Sequence, residues 1–333
     1  MKPINLRYLS GQDVAALDLT NDEILTAIEA SLCAQGEGGT VIEPRMHLVP
    51  DADFGGHFNV LRGYIAQGYT AGIKIVGDYH ENYKQGLPSE FGLLNLFDGR
   101  TGQPRAVVDA TGITEMRTGA VTAVGAKYLA GNNPRVLGHI GARGTAYWNV
   151  RLLDHLFDFE EIRIHSRRPE SREAFAARLE ADLGKPVVVT EDWKSCLQEA
   201  DILVEASRLM QPEPLFKTCW IKPGALVIPY GTMSTVEDDI IDIMDKIVVD
   251  DWGQCLIGPF GCLRRHVDSG RVTRESIHGE LGEICAGKIA ARENEEETCL
   301  FWHRGLSTSD IALGIAMLEK ADKMGIGHTL PYA

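Results

Sequence analysis

Val136-Leu137-Gly138-His139-Ile140-Gly141-Ala142-Arg143-Gly144-Thr145-Ala146 reads as a short buried strand that runs into a glycine loop and opens a helix. From Gly141 the loop has the form Gly-x-x-Gly-x-Ala, and adding Gly138 does not make a regular Gly-x-Gly-x-x-Gly. Alone, that spacing also suits an ordinary tight turn. The residues that follow decide the matter. Trp148, Val150, Leu152, Leu153 and Leu156 mark an amphipathic helix. Strand-like runs then recur at 161–166, 186–190, 201–207, 225–231 and 246–251, with helical stretches at 170–184 and 193–200. This alternation predicts an α/β fold, a Rossmann-type doubly wound parallel sheet over roughly 131–300. In such a sheet the free N–H groups at the N-terminus of a helix after a glycine loop hold a pyrophosphate, so a dinucleotide cofactor is expected.

Upstream the rhythm differs. Residues 11–34 are helical in pattern, with Thr20-Asn21-Asp22-Glu23 offering caps ahead of Ile24, Leu25, Ile28 and Leu32. Strand-like runs follow at 58–65, 71–76, 91–97 and 105–109, and Asp98-Gly99-Arg100-Thr101-Gly102-Gln103-Pro104 reads as a hairpin tip. A helix rich in small residues is expected over 111–130 and an amphipathic one over 311–327, whereas 291–298 is a solvated loop or helix end.

Composition narrows the class. The 333 residues carry a formal charge of −14 with no long basic run, which excludes a duplex-binding surface. No apolar run approaches a membrane helix, and the opening MKPINLRYLSGQDV has no apolar leader core. Seven cysteines without a Cys-x-x-Cys spacing argue against a disulfide framework and a zinc knot. A cytoplasmic protein with a small-molecule ligand, no metal, no nucleic acid and no membrane partner is expected. After the second strand of the sheet stand Ser166-Arg167-Arg168, with no acid to meet ribose hydroxyls. Hydroxyl and guanidinium groups suit a 2′-phosphate, so NADP(H) is favoured and NAD(H) possible.

The order of short motifs is distinctive. Pro44-Arg45-Met46, Gly72-Ile73-Lys74-Ile75-Val76, Gly86-Leu87-Pro88-Ser89 and Met116-Arg117-Thr118-Gly119-Ala120 precede the glycine loop, and Asp310-Ile311-Ala312-Leu313 opens the last helix. In this arrangement the chain resembles the ornithine cyclodeaminase/mu-crystallin family over nearly its full length. The resemblance implies a substrate-binding and dimerisation domain, residues 1–120 with 308–333, and an inserted Rossmann domain, 121–307. It implies a homodimer and chemistry through an imine next to a carboxylate. The activity implied is NAD(P)H-dependent reduction of a small α-imino acid, or α-amino acid dehydrogenation in reverse. A cyclodeaminase with recycled NAD and a non-catalytic ligand-binding protein are the alternatives.

By the same resemblance, Arg45, Lys74 and Arg117 bind the substrate carboxylate, Lys74 also moves a proton, and Arg117 and Thr118 reach the cofactor. Gly141, Arg143, Gly144, Thr145 and Ala146 hold phosphates; Ser166, Arg167 and Arg168 meet the adenosine ribose; Ser207 and Gly231, at later strand ends, complete the cofactor set. Two departures stand out. The acid that cyclodeaminases carry after the fifth strand falls on Gly231 here, and the one ahead of the lysine falls near Asn59. Asn59 and the neighbouring Arg62 are taken as substrate-binding; Arg62 meets a second anionic group if it points inward, and the outward orientation is the favoured one. His57, His80 and His303 are further acid/base candidates. Asp250-Asp251 stands by the cofactor or caps a strand, and the aromatics of 301–307 wall the pocket or pack the core.

Overall fold

The computed structural model describes residues 3–79, 81–207, 209, 211–232, 234–258 and 261–333. The elements run β1 (Asn5–Leu9), α1 (Gly11–Ala16), α2 (Asn21–Gly36), β2 (Thr40–Ile42), β3 (Met46–Leu48), β4 (Gly56–Ile65), β5 (Thr70–Tyr79), β6 (Glu90–Asp98), β7 (Pro104–Asp109) and α3 (Ile113–Leu129). Next come β8 (Val136–Ile140), α4 (Ala146–Phe157), β9 (Glu161–His165), α5 (Pro169–Leu183), β10 (Val188–Val189), α6 (Trp193–Leu197), β11 (Ile202–Glu205) and β12 (Leu226–Pro229). The chain continues through α7 (Ile240–Ile243), β13 (Lys246–Val249), α8 (Trp252–Cys255), α9 (Arg264–Asp268), β14 (Gly279–Glu280), α10 (Leu281–Cys285), β15 (Cys299–Trp302), α11 (Ser307–Met324) and β16 (His328–Pro331). Two compact units result: residues up to Arg117 with Leu306–Ala333, and Thr118–Gly305.

In the first unit the strand order is β16-β1-β7-β6-β5-β4-β2, with β3 also on β4. All pairs are antiparallel except β1 with β7. The single helix expected over 11–34 is two. Asp18 has φ +45°, and the capping boxes Ser10–Asp13 and Thr20–Glu23 start separate helices. One face of the sheet is covered by α11. Two glycines make that possible: a Cβ on Gly72 would lie 2.4 Å from Ile311 Cγ1, and one on Gly63 would lie 2.5 Å from Ser307 Oγ. These two are a cross-strand pair on β4 and β5, so the helix lies close to the sheet over both strands. Lys74 and Leu61 form the next cross-strand pair on that face, and Val76 and Asn59 the one after. Ile73 and Ile75 point the other way and stay more than a third exposed.

The second unit is a sheet of eight parallel strands in the order β10-β9-β8-β11-β12-β15-β13-β14. The expected doubly wound sheet is present, with two additions that local pattern missed. β15, a four-residue run buried throughout, inserts between β12 and β13, and β14 adds an edge. Short apolar runs carry no periodicity, and crossovers leave no local trace. Phe301 and Trp302 are thereby core residues, the latter fully buried with Nε1 donating to Gly231 O at 3.0 Å. A large aromatic held on both counts contributes on the order of 3–5 kcal/mol. Among the described residues no helix is long and apolar enough to cross a membrane, and all seven cysteines are free.

Candidate functional site

In the first unit three ionisable groups meet in the layer between β5 and α11. Lys74 Nζ donates to Asp310 Oδ1 at 2.6 Å and to Thr114 Oγ1 at 2.9 Å; Arg117 Nε donates to the same Asp310 Oδ1 at 3.0 Å. Their side chains are at most 5% exposed. Burying charge is costly without compensation, and here two cations share one carboxylate. Arg117 Nη1 and Asp310 Oδ2 are buried without a hydrogen-bond partner among the described residues. Burial pushes the Lys74 ammonium down to about 8, the Arg117 and Arg45 charges adding to this, while Asp310 opposes it. Arg45 itself is half-buried in the connection between β2 and β3. The excess of positive charge and the unpartnered guanidinium nitrogen fit an anion of carboxylate size.

Asn59 and His57 project from β4 on the Lys74 face, by their pairing with Val76 and Asp78. Asn59 Nδ2 donates to His57 Nε2 at 3.1 Å, and Asn59 Oδ1 is buried without a partner. Arg62 requires a correction. It pairs across from Ile73, on the exposed face opposite Lys74, and its guanidinium lies against Glu43 and the Met46 sulfur. Strand alternation alone removes it from the carboxylate site. His80 lies outside the described residues.

The second unit carries the glycine loop. Gly141 has φ +108°, and a Cβ there would lie 2.6 Å from Ala206 O. Gly144 follows at φ +57°. Thr145, at the N-cap of α4, makes no side-chain capping bond, so the first-turn N–H groups of α4 gain none from it, and the Ala146 N–H donates to Arg143 O at 3.2 Å. Arg143 is exposed beside them. This cradle fits a pyrophosphate. His139, which sequence reasoning did not single out, holds it: Nδ1 donates to Gly141 O at 3.1 Å and Nε2 accepts from Asn149 Nδ2 at 3.2 Å. Burial lowers the imidazole to about 4 and keeps it neutral.

Ser166 Oγ donates to Arg168 O, and Arg167 and Arg168 are exposed just before α5. A cleft of about 350 Å³ lies between the glycine loop and α5, lined by Arg143, Ser171, Phe175 and Arg178 among others. Ser207 lies beyond the end of β11, its N–H donating to Glu205 Oε1 at 2.7 Å. Gly231 has φ +64°; its N–H donates to His303 O and no carboxylate stands there. Thr118 and His303 are fully buried, and His303 Nε2 lies 3.0 Å from Thr122 Oγ1. Asp250 Oδ2 accepts from the N–H groups of Arg304 and Gly305, and Asp251 Oδ1 from that of Gln254 at the start of α8. No group of three or more potential metal ligands occurs among the described residues.

Asp310 and Thr114 are the members of the charged site that the sequence did not assign. A signal for Asp310 existed: it is the single acid in Ser307-Thr308-Ser309-Asp310-Ile311-Ala312-Leu313, a run otherwise small or apolar. An acid on a buried helix face needs a cation opposite.

The model of the ornithine cyclodeaminase/mu-crystallin family matches residues 8–324. An alanine dehydrogenase of Archaeoglobus fulgidus is 29% identical over 97% of this chain and 98% of its own length. The structure of an archaeal alanine dehydrogenase dimer with bound NAD superposes with a TM-score of 0.89, at 28% identity, over 99% of this chain and all of that one. The Δ1-pyrroline-2-carboxylate reductase of Thermococcus litoralis, in complex with NADH and L-proline, gives 0.87 at 27% identity, over 97% and 99% of the two chains.

Proposed function

The chain belongs to the ornithine cyclodeaminase/mu-crystallin family and is an NAD(P)-dependent enzyme of it, and we propose that it reduces the C=N bond of a small 2-imino acid to the 2-amino acid, with dehydrogenation as the reverse. The observation that carries this reading is the Lys74–Asp310–Arg117 group, two buried cations on one carboxylate. A substrate carboxylate supplies the missing negative charge. Arg117 Nη1 and the Arg45 fork bind it, and this fixes the adjacent C=N. Lys74, with its ammonium lowered to about 8, gives the proton to the imine nitrogen in reduction and takes it back in oxidation. Asp310 orients both cations. The bound nicotinamide nucleotide supplies or accepts the hydride.

Gly141 turns the loop, its N–H held by His165 O, Gly144 and Thr145 offer backbone N–H groups to the pyrophosphate with Arg143 beside them, and Ala146, Thr118, Ser207 and Gly231 belong to the same cofactor set. Ser166, Arg167 and Arg168 support a preference for NADP(H), since three donor-bearing groups and no acid follow β9. Gly231 favours reduction over cyclodeamination: its position has no carboxylate to handle a substrate amine. The outer face of the first unit's sheet exposes Ile73, Ile75, Phe91 and Leu93, a continuous apolar area that fits a second copy of the chain. We place the protein in the cytoplasm, where free thiols persist.

The test is net consumption of NADPH, against NADH, with a cyclic imine carboxylate and with 2-oxo acids plus ammonia. Sedimentation gives the oligomeric state. Ammonia release from a diamino acid with no net change of cofactor sinks the reductase reading in favour of a cyclodeaminase.

A further inference from the structure

Three polar side chains share the Lys74 face of the first unit's sheet, beyond the charged group. Asn59 and His57 come from β4; His47 comes from β3, where it pairs with Asn59. The His47 and His57 rings lie 5.6 Å apart at 44°. Asn59 stands one cross-strand pair beyond Leu61–Lys74, close to the place where a substrate carboxylate would sit. Its carboxamide is satisfied on one side only: Nδ2 donates to His57 Nε2, and Oδ1 is buried and unpartnered. A buried acceptor without a donor is costly, and the vacant valence points to a ligand.

The bond to His57 makes this vacancy conditional. As an acceptor, His57 Nε2 carries no proton, so the ring is neutral with its proton on Nδ1. Asn59 then shows the substrate an oxygen. A protonated His57 has no lone pair on Nε2 and donates there. The carboxamide must turn over so that Oδ1 accepts, and Asn59 then shows the substrate its two N–H donors. The charged and titratable groups on the elements of this face are His47 on β3, beside the His57 ring, Asp78 directly across from His57 on β5, Lys74 further along β5, and, around Lys74, Arg45 and Asp310, the latter engaged by Lys74 and Arg117.

We propose that the His57–Asn59 pair reads the far end of the substrate side chain, and that protonation of His57 switches the favoured group from an amine to a carboxylate. The substrate class is then a 2-imino or 2-amino acid with a short polar side chain. This rests on the function proposed above, in that the α-carboxylate is held by Arg45, Lys74 and Arg117.

The experiment measures binding of L-aspartate and of L-2,4-diaminobutyrate to the full-length protein with reduced cofactor, a dead-end complex that requires no turnover. Calorimetry is run from about pH 7.5 to about pH 5.5, a range in which most of Lys74 keeps its charge. The ratio of the two affinities cancels changes common to both ligands. It is expected to move toward aspartate by roughly tenfold as pH falls, the size of one charge-assisted hydrogen bond. In His57→Gln the ratio becomes independent of pH. In Asn59→Asp, an acceptor in either orientation, it favours the diamine throughout. A flat ratio in the unmodified protein, or an unchanged slope in His57→Gln, overturns the switch and leaves the functional reading intact. If neither amino acid binds, with α-carboxylate and cofactor both present, the functional reading falls together with the switch.

Discussion

Asp310 in the first unit and Asp250 in the second are both fully buried carboxylates, but they sit among different kinds of partner. Asp310 faces two formal cations. Asp250 faces backbone N–H groups, those of Asp251, Arg304 and Gly305, and burial raises it to about 6. Glu205, at the end of β11, behaves alike: burial raises it to about 7 despite the bond from Ser207 N–H. A carboxylate among cations anchors a charged site that still lacks an anion. Carboxylates held by hydrogen bonds fix loops, and burial moves their titration up toward the neutral range. The first unit buries formal charges around its carboxylate, and the second uses its buried carboxylates to fix backbone.

The sharpest way to break it is Lys74→Ala. A general acid–base role predicts a loss of about 10²–10⁴-fold in kcat, read by NADPH oxidation with an imino acid; retention of near-full activity removes Lys74 from the chemistry. The pH profile of the unmodified enzyme carries the same information. Reduction needs the Lys74 proton, so its rate should fall as pH rises through about 8, whereas oxidation, which needs the free amine, should rise there.

Next in size is stability. Asp310→Asn leaves two buried cations without their counter-charge and should cost about 3–5 kcal/mol in denaturant unfolding. Asp250→Asn weakens the bonds that its carboxylate accepts from three backbone N–H groups and should cost about 1–3 kcal/mol. Equal losses would erase the distinction between the two surroundings.

Glu205 gives a third contrast. Its folded-state value, about 7, exceeds the ordinary 4.5, so the folded state holds the proton more tightly. Its contribution is fully present below about pH 4.5 and is lost as pH rises to about 7, a change on the order of 3 kcal/mol. Glu205→Gln should therefore flatten the stability curve in that window and raise the melting temperature at pH 7.5 relative to the unmodified protein. A parallel curve for the variant would show that another group titrates there. The smallest effect is expected at the exposed end of the second unit: Arg167→Ala with Arg168→Ala should lower kcat/KM for NADPH about tenfold and leave that for NADH nearly unchanged.

The strands and helices were legible wherever hydrophobic period and turn chemistry agreed. β8, α4, β9, α5 and β11 stand within a few residues of expectation, and Thr20 and Glu23 cap α2 as their spacing suggests. β15 was not legible, because four consecutive buried residues have no period and its place between β12 and β13 depends on a long crossover. Of the charged site, motif order pointed to Arg45, Lys74 and Arg117. It did not reveal that Asp310 lies 236 positions from Lys74 in the chain and 2.6 Å from it in space.

Arg62 shows the same limit from the other side. Its chemistry suits an anion, yet one residue of strand register separates it from Leu61, the cross-strand partner of Lys74. Residue types and their local spacing determined that this chain forms a parallel sheet with a glycine loop and carries basic groups suited to carboxylates. Which of those groups converge was decided by tertiary structure. Sheet register and the close approach of α11 over Gly63 and Gly72 are long-range facts, and charge is compensated through space rather than along the chain.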